Sequence, residues 1–112
     1  MLKLDKEGKY LLACSYGPDS MALCYLLLSE GYDFEIAHVN YHLRKESNYE
    51  SENLKLFCEM NNIKFHFYDV NKKIYKNIEE EAREIRYNFF SLIYHSSTFS
   101  ALLVAHNSED HV

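Results

Sequence analysis

Apolar residues along the chain fall into short runs separated by polar knots. Tyr10-Leu11-Leu12-Ala13-Cys14 is a continuous apolar run of strand length, which predicts a strand buried on both faces. From Asp19 to about Ser29 the apolar positions are nearly unbroken, predicting a buried helix that ends at Gly31. Phe34 to Val39 predicts a second strand. Ser47 to Asn61 reads as an amphipathic helix, with apolar residues at 54, 57, 58 and 60 and with Glu50 and Glu52 near its positive end. Lys64 to Val70 alternates like a third strand. Asn77 to Tyr94 has the clearest helical period: Ile78, Ala82, Ile85, Phe89 and Ile93 recur at spacings of three and four. Glu79, Glu80 and Glu81 fill its first turn. Ser100 to Ala105 predicts a fourth strand.

Strands alternating with helices predict the α/β class, a parallel sheet with crossover helices in one domain. A sheet that closes at His111-Val112 has no helix over its last strand, so the chain reads as a truncated fragment. The 112 residues are 47% hydrophobic and 26% charged, the balance of an ordinary soluble domain. No apolar run approaches the roughly 20 residues that span a bilayer. The N-terminus lacks the apolar centre of a secretory signal, so the expectation is cytoplasmic, with no membrane partner. Cys14, Cys24 and Cys58 all lie in apolar stretches without a C-x-x-C pair and read as reduced core thiols. A net charge of −5 does not suggest nucleic-acid binding by this segment alone. The local exception, Lys72, Lys73 and Lys76, reads as a solvated loop.

Ligands of open parallel sheets bind beyond the carboxyl ends of the strands. Polar clusters follow three of the four strands: SYGPDS at 15–20, NYHLRKES at 40–47 and HNSEDH at 106–111. In the first, Pro18 suits the opening position of a helix, where its missing N–H costs little. Gly17 permits close backbone approach or positive φ. The helix start offers unpaired N–H groups and a positive dipole end to an anion, and Ser15 and Ser20 can hydrogen-bond phosphate oxygens. Asp19 would repel phosphate unless a cation lay between them, which implies Mg²⁺. The turn is not of the Walker type, because no lysine stands in it. Taken by itself it fits a phosphate cradle or a plain capped turn.

SYGPDS resembles the S-G-G-x-D-S loop of the N-type ATP pyrophosphatases, the PP-loop superfamily, which cleave ATP between its α and β phosphates. Three further stretches are similar to the tRNA(Ile)-lysidine synthetases within that superfamily. His38-Val39-Asn40-Tyr41-His42-Leu43-Arg44-Lys45-Glu46-Ser47 resembles H-V-D-H-G-L-R-x-x-S. Ala82-Arg83-Glu84-Ile85-Arg86-Tyr87-Asn88-Phe89-Phe90 matches A-R-x-x-R-Y-x-x-F. Ala105-His106-Asn107-Ser108-Glu109-Asp110-His111-Val112 resembles A-H-H-x-D-D-x-x-E-T without its last two residues.

The resemblance implies a Rossmann-like adenine nucleotide alpha hydrolase fold. Residues 1–112 would be an incomplete N-terminal catalytic domain, lacking the final strands and the C-terminal tRNA-binding region. The implied enzyme is a C–N ligase that uses ATP, Mg and free L-lysine on the wobble cytidine of tRNA(Ile) with a CAU anticodon. Carried over by motif position, Ser15, Tyr16, Gly17, Pro18, Asp19 and Ser20 bind ATP. Asp19 and Asp110 hold Mg²⁺, and Arg86 and His106 face the reacting phosphate and substrate. Asp110 is also placed near the lysine amine.

Departures from the pattern carry their own expectations. Tyr16 replaces a glycine, so its side chain is expected to point away from phosphate and its φ to suit a non-glycine residue. Asn40 replaces an acid, Tyr41 a histidine and His42 a glycine, and His42 weakens the need for positive φ there. Asn107 and Glu109 replace a histidine and an acid. Other readings stand beside this one: a tRNA thiolase of the same superfamily, a nucleotide-binding module inactive as a fragment, and a zinc site at His106, Glu109, Asp110 and His111 with irregular ligand spacing. Arg83 reads as a solvated or ion-paired residue, and His66 and His95 as structural.

Overall fold

The computed structural model describes residues 2–71 and 77–105. Strand and helix alternate as the apolar pattern requires: β1 (Lys9–Ala13), α1 (Pro18–Ser29), β2 (Asp33–Asn40), α2 (Ser47–Met60), β3 (Phe65–Asp69), α3 (Ile78–Ser96) and β4 (Ala101–Val104). The strands are parallel and lie in the order β3-β2-β1-β4. The chain steps outward from β1 to β3, then crosses back to lay β4 on the far side of β1. That reversal makes the β1/β4 boundary a topological switch point.

Right-handed crossovers put α1 and α2 on one face and α3 on the other, and the core divides accordingly. Tyr10, Leu12 and Cys14 meet Cys24, Leu27, Leu54 and Cys58 from α1 and α2. Leu11 and Ala13 meet Phe90 and Ile93 from α3. Leu11 and Leu12 are therefore both fully buried although they point to opposite faces. The continuous apolar run of β1 follows from its position inside the sheet.

Helix α1 differs from expectation. It buries a single stripe of Ser20, Cys24 and Leu27, and Tyr25 and Leu26 lie exposed. Its near-continuous apolarity therefore does not mean burial all round. Its C-terminus closes as the sequence requires: Gly31 has φ 77°, its N–H donates to Leu28 O at 3.1 Å, and the Tyr32 N–H donates to Leu27 O at 3.0 Å. α2 ends the same way, with Asn62 in the left-handed position at φ 56° and the Ile63 N–H donating to Cys58 O at 2.9 Å.

A polar network ties the amino-terminal end of the sheet. Glu35 on β2 accepts from Lys9 Nζ at 3.0 Å and pairs with His66 Nε2 at 2.7 Å. Lys9 also reaches Ser97 Oγ at 3.0 Å, which ties the end of α3 to the sheet. Burial pushes the Glu35 carboxyl up, but hydrogen bonds from His66 and Lys9 outweigh it and leave the group below its ordinary range. His66 is structural, as the sequence suggested.

Candidate functional site

The carboxyl rim of the sheet is stepped. Ala13, the last residue of β1, pairs with Ala37 of β2 and with Val104, the last residue of β4. β2 continues to Asn40, which pairs with Asp69. Three more residues of strand raise β2 by about 10 Å above the end of β1. The SYGPDS turn thus leaves β1 at the switch point with the extended ends of β2 and β3 standing on one side of it.

Within the turn, Tyr16 has φ 66°, whereas Gly17 is extended at φ −76° and ψ 167° as the N-cap of α1. The left-handed position belongs to Tyr16, contrary to the expectation that a non-glycine residue there would avoid it. The Tyr16 ring is half-buried and packs against the core cluster beneath α1. That packing offsets a backbone cost of roughly 1–2 kcal/mol. His42 repeats the correction, with φ 59°. Both tyrosine and histidine stand where the resembling pattern has glycine, so the backbone geometry persists without the residue that makes it easy.

A pair of variants isolates that cost. Tyr16→Gly and Tyr16→Ala lose the same ring, and only alanine keeps the backbone strain. Urea denaturation is expected to find Tyr16→Gly the more stable by roughly 0.5–1 kcal/mol, the reverse of the usual order. Alanine equal to or above glycine would show that the turn does not need the left-handed state.

The polar groups of the turn bond to one another. Ser15 Oγ and Ser20 Oγ lie 3.2 Å apart, the Ser15 N–H donates to Ser20 Oγ at 3.4 Å, and the Gly17 N–H donates to Ser15 Oγ at 3.3 Å. No side chain caps α1, and Met21 supplies the first intrahelical N–H, to Gly17 O. The Asp19 and Ser20 N–H groups therefore have no partner within the helix. The Asp19 side chain, in the first turn of α1, has no hydrogen bond or ion pair among the described residues. Burial pushes the Cys14 thiol up to about 11, against a backbone hydrogen bond from Tyr16. Burial and neighbouring thiols push Cys24 to about 12. These sulfurs stay protonated at neutral pH and offer no thiolate chemistry at the rim.

Beside the turn, a buried histidine supports its origin. His38 Nδ1 lies 2.8 Å from the Cys14 carbonyl, which can only accept, so this nitrogen carries the proton. Its Nε2 lies 2.8 Å from Ser51 Oγ on α2. Burial lowers the His38 pKa and favours the neutral ring. Two residues on, Asn40 Oδ1 accepts the His42 N–H at 2.9 Å, and Asn40 Nδ2 donates to Asn48 Oδ1 at 2.8 Å. This Asx-type turn holds His42 in its left-handed state. The His42 ring pairs with the Asp69 carboxylate at the end of β3, and Arg44 Nη2 donates to Glu50 Oε1 at 2.5 Å.

Arg86 lies on α3, on the opposite face of the sheet from α1, with its guanidinium over the Tyr87 ring at 5.5 Å. Burial raises the Tyr41 pKa, and the Arg86 charge pulls against that rise. The structure thus gathers Ser15 through Ser20 in one turn, while Arg86 stands near the middle of α3 on the other face of the sheet. His106 and Asp110 lie outside the described residues, as do Asn107, Glu109, His111 and the Lys72, Lys73 and Lys76 cluster. The strand that leads to His106 ends level with β1, at Val104. Sequence reasoning missed the supporting roles of His38 and Asn40. Polar residues in an otherwise apolar strand were the available signal, since buried polar groups need partners.

Comparison with known proteins agrees with this geometry. A family model described as the PP-loop domain matches residues 1–112. A tRNA(Ile)-lysidine synthase of Campylobacter jejuni is 41% identical over 113 residues, covering 98% of this chain and 34% of that protein. Its counterpart in Bacteroides thetaiotaomicron is 38% identical over 112 residues, covering 95% of this chain and 26% of that protein. The chain thus spans about a third or less of the length of these relatives. Among solved structures, a U34-tRNA thiolase from Methanococcus maripaludis superposes with a TM-score of 0.77 at 18% identity, over 96% of this chain and 40% of that one. That likeness concerns the fold. With the family model spanning the whole chain and the two lysidine synthases 38–41% identical over nearly all of it, this chain belongs to the PP-loop family.

Proposed function

We propose that the chain is the ATP-handling part of a tRNA(Ile)-lysidine synthetase. The observation that carries this reading is the SYGPDS turn at the switch point, with α1 directed from it and Asp19 in the first helical turn without a partner among the described residues. The relatives named tRNA(Ile)-lysidine synthase support the choice within the family.

In this reading ATP lies with its phosphates over the start of α1. The N–H groups of Gly17, Asp19 and Ser20 and the hydroxyls of Ser15 and Ser20 receive phosphate oxygens in place of one another. Asp19, with Asp110, would hold a magnesium ion, a hard cation suited to a free carboxylate. When bound, the ion offsets charge on the departing pyrophosphate. By motif position, Arg86 and His106 are assigned to the reacting phosphate. The C2 oxygen of the wobble cytidine attacks the α-phosphorus, and the bond to the β-phosphate breaks. The amine of free lysine then attacks C2, a C–N bond forms, the C2–O bond breaks, and AMP leaves.

The net charge of −5 makes these 112 residues a poor grip on tRNA by themselves. The reading is therefore tested in a chimera that carries residues 1–112 in place of the matching third of the Campylobacter jejuni relative. Incubated with Mg-ATP, labelled lysine and a tRNA(Ile) transcript with a CAU anticodon, it is expected to place lysine in the tRNA and release AMP and pyrophosphate. A folded chimera that binds ATP but transfers no lysine would overturn the assignment. Sulfur transfer instead would favour the thiolase branch.

A further inference from the structure

We propose that His38 is a positioning residue: by holding the Cys14–Ser15 peptide it commits the Ser20 hydroxyl to donate to an anion at the SYGPDS turn. The chain leaves the sheet at this peptide. The Cys14 N–H still bonds to Ala37 O at 3.0 Å, whereas the Cys14 carbonyl takes a side chain as partner, with His38 Nδ1 at 2.8 Å. The imidazole is fixed on all sides. It is buried, stacked on Phe65 and Phe67 with ring centroids 6.1 and 5.9 Å away, and met at Nε2 by Ser51 Oγ at 2.8 Å. With the Nδ1 proton directed at the carbonyl, Nε2 accepts and the Ser51 hydroxyl donates.

The Cys14–Ser15 peptide is trans, a rigid plane with its carbonyl and its N–H on opposite sides. Fixing the carbonyl therefore fixes the direction of the Ser15 N–H, which donates to Ser20 Oγ at 3.4 Å. Ser20 is itself only 5% exposed. Its oxygen accepts from that N–H, so its one proton is left to donate. Within the turn the partner for that proton is Ser15 Oγ, 3.2 Å away, which also accepts the Gly17 N–H at 3.3 Å. A phosphate oxygen offers a charged and stronger acceptor in its place. The donors run in one direction, from Ser51 through His38 and the peptide to Ser20, and hydrogen bonds aligned in this way strengthen one another. The inference rests on the proposed function for the phosphate, but not for the way His38 holds the peptide.

Two readouts on this chain separate those claims. In ¹⁵N-labelled wild-type protein at neutral pH, the His38 ring, assigned by its loss in His38→Asn, is expected to carry its proton on Nδ1. A proton on Nε2 instead overturns the proposal, and this reading needs no variant to fold well. The second readout compares His38→Leu, which fills the space without a donor, with His38→Asn, which keeps an N–H close to the place of Nδ1. Mg-ATP affinity, measured by calorimetry, is expected to fall roughly 3- to 10-fold in His38→Leu and to return to within about twofold of wild type in His38→Asn. The Ser15 amide resonance should move in His38→Leu and return toward its wild-type position in His38→Asn. Equal affinity losses in the two variants, or a Ser15 amide unmoved in His38→Leu, overturn the positioning role. Wild-type amide resonances of residues 15–20 that ignore Mg-ATP overturn the phosphate reading of the turn. A turn that responds to Mg-ATP, with His38→Leu binding as tightly as wild type, overturns the role of His38 alone.

Discussion

Asp19→Ala is expected to remove Mg-ATP binding from this chain, with affinity falling at least about 100-fold, because a carboxylate beside triphosphate is tolerable only through a cation. Without the carboxylate the ion would lose one of the two acids assigned to hold it, and the phosphates much of their neutralisation. The substitution should cost little stability. Asp19 makes no side-chain bond among the described residues, and an acid in the first turn of a helix contributes only about 0.3–1 kcal/mol. Calorimetric titration with ATP, with and without magnesium, provides the test. Wild type should lose affinity when magnesium is withdrawn, and the variant should be insensitive to it. Affinity within about threefold of wild type, at an unchanged melting temperature, would remove Asp19 from the phosphate site and the magnesium with it.

The largest stability effect is expected at Leu12. It lies on β1, flanked by β2 and β4, and is fully buried against the α1 and α2 side of the core. A hydrogen-bonded strand on each side leaves little room to collapse around a missing side chain. Leu12→Ala should therefore cost about 2–5 kcal/mol, a large share of what a domain of this size possesses. Thermal melts should show a fall of roughly 10–25 °C. Leu92→Ala is the control. That residue is 72% exposed, and its loss should stay within about 0.5 kcal/mol. Equal losses at the two positions would mean that the sheet is not the centre of stability described above.

Much of this fold was legible because burial on two faces and burial on one face write different patterns. β1 reads as a solid apolar run and α3 as a stripe, and each forms within a residue or two of the expected bounds. Strand order was not legible, since an apolar run reports that a strand is covered but not which strand lies beside it. The outer face of α1 misled for a related reason: Tyr25 and Leu26 are apolar yet exposed. At the site, the chemical identities of Ser15 to Ser20 pointed to their common turn. The backbone state of Tyr16 and His42 did not follow from their identity, because it is imposed by neighbours distant in the pattern. A ring seated on the core holds one, and the Asn40 side chain holds the other.

His38 gives the molecule a mechanical connection between places that look independent. Ser51 is on α2, the imidazole is on β2, and the Cys14 carbonyl is the last peptide before the SYGPDS turn. The ring is rigid and neutral, so it acts as a strut. A second tether, from Asn48 to Asn40, joins the start of the same helix to the rim. A load on the outer surface of α2, where Tyr49 and Leu56 are exposed, therefore has a route of two hydrogen bonds to the first residue of the turn. Displacement of α2, which contributes no residue to the SYGPDS turn, would be felt there first.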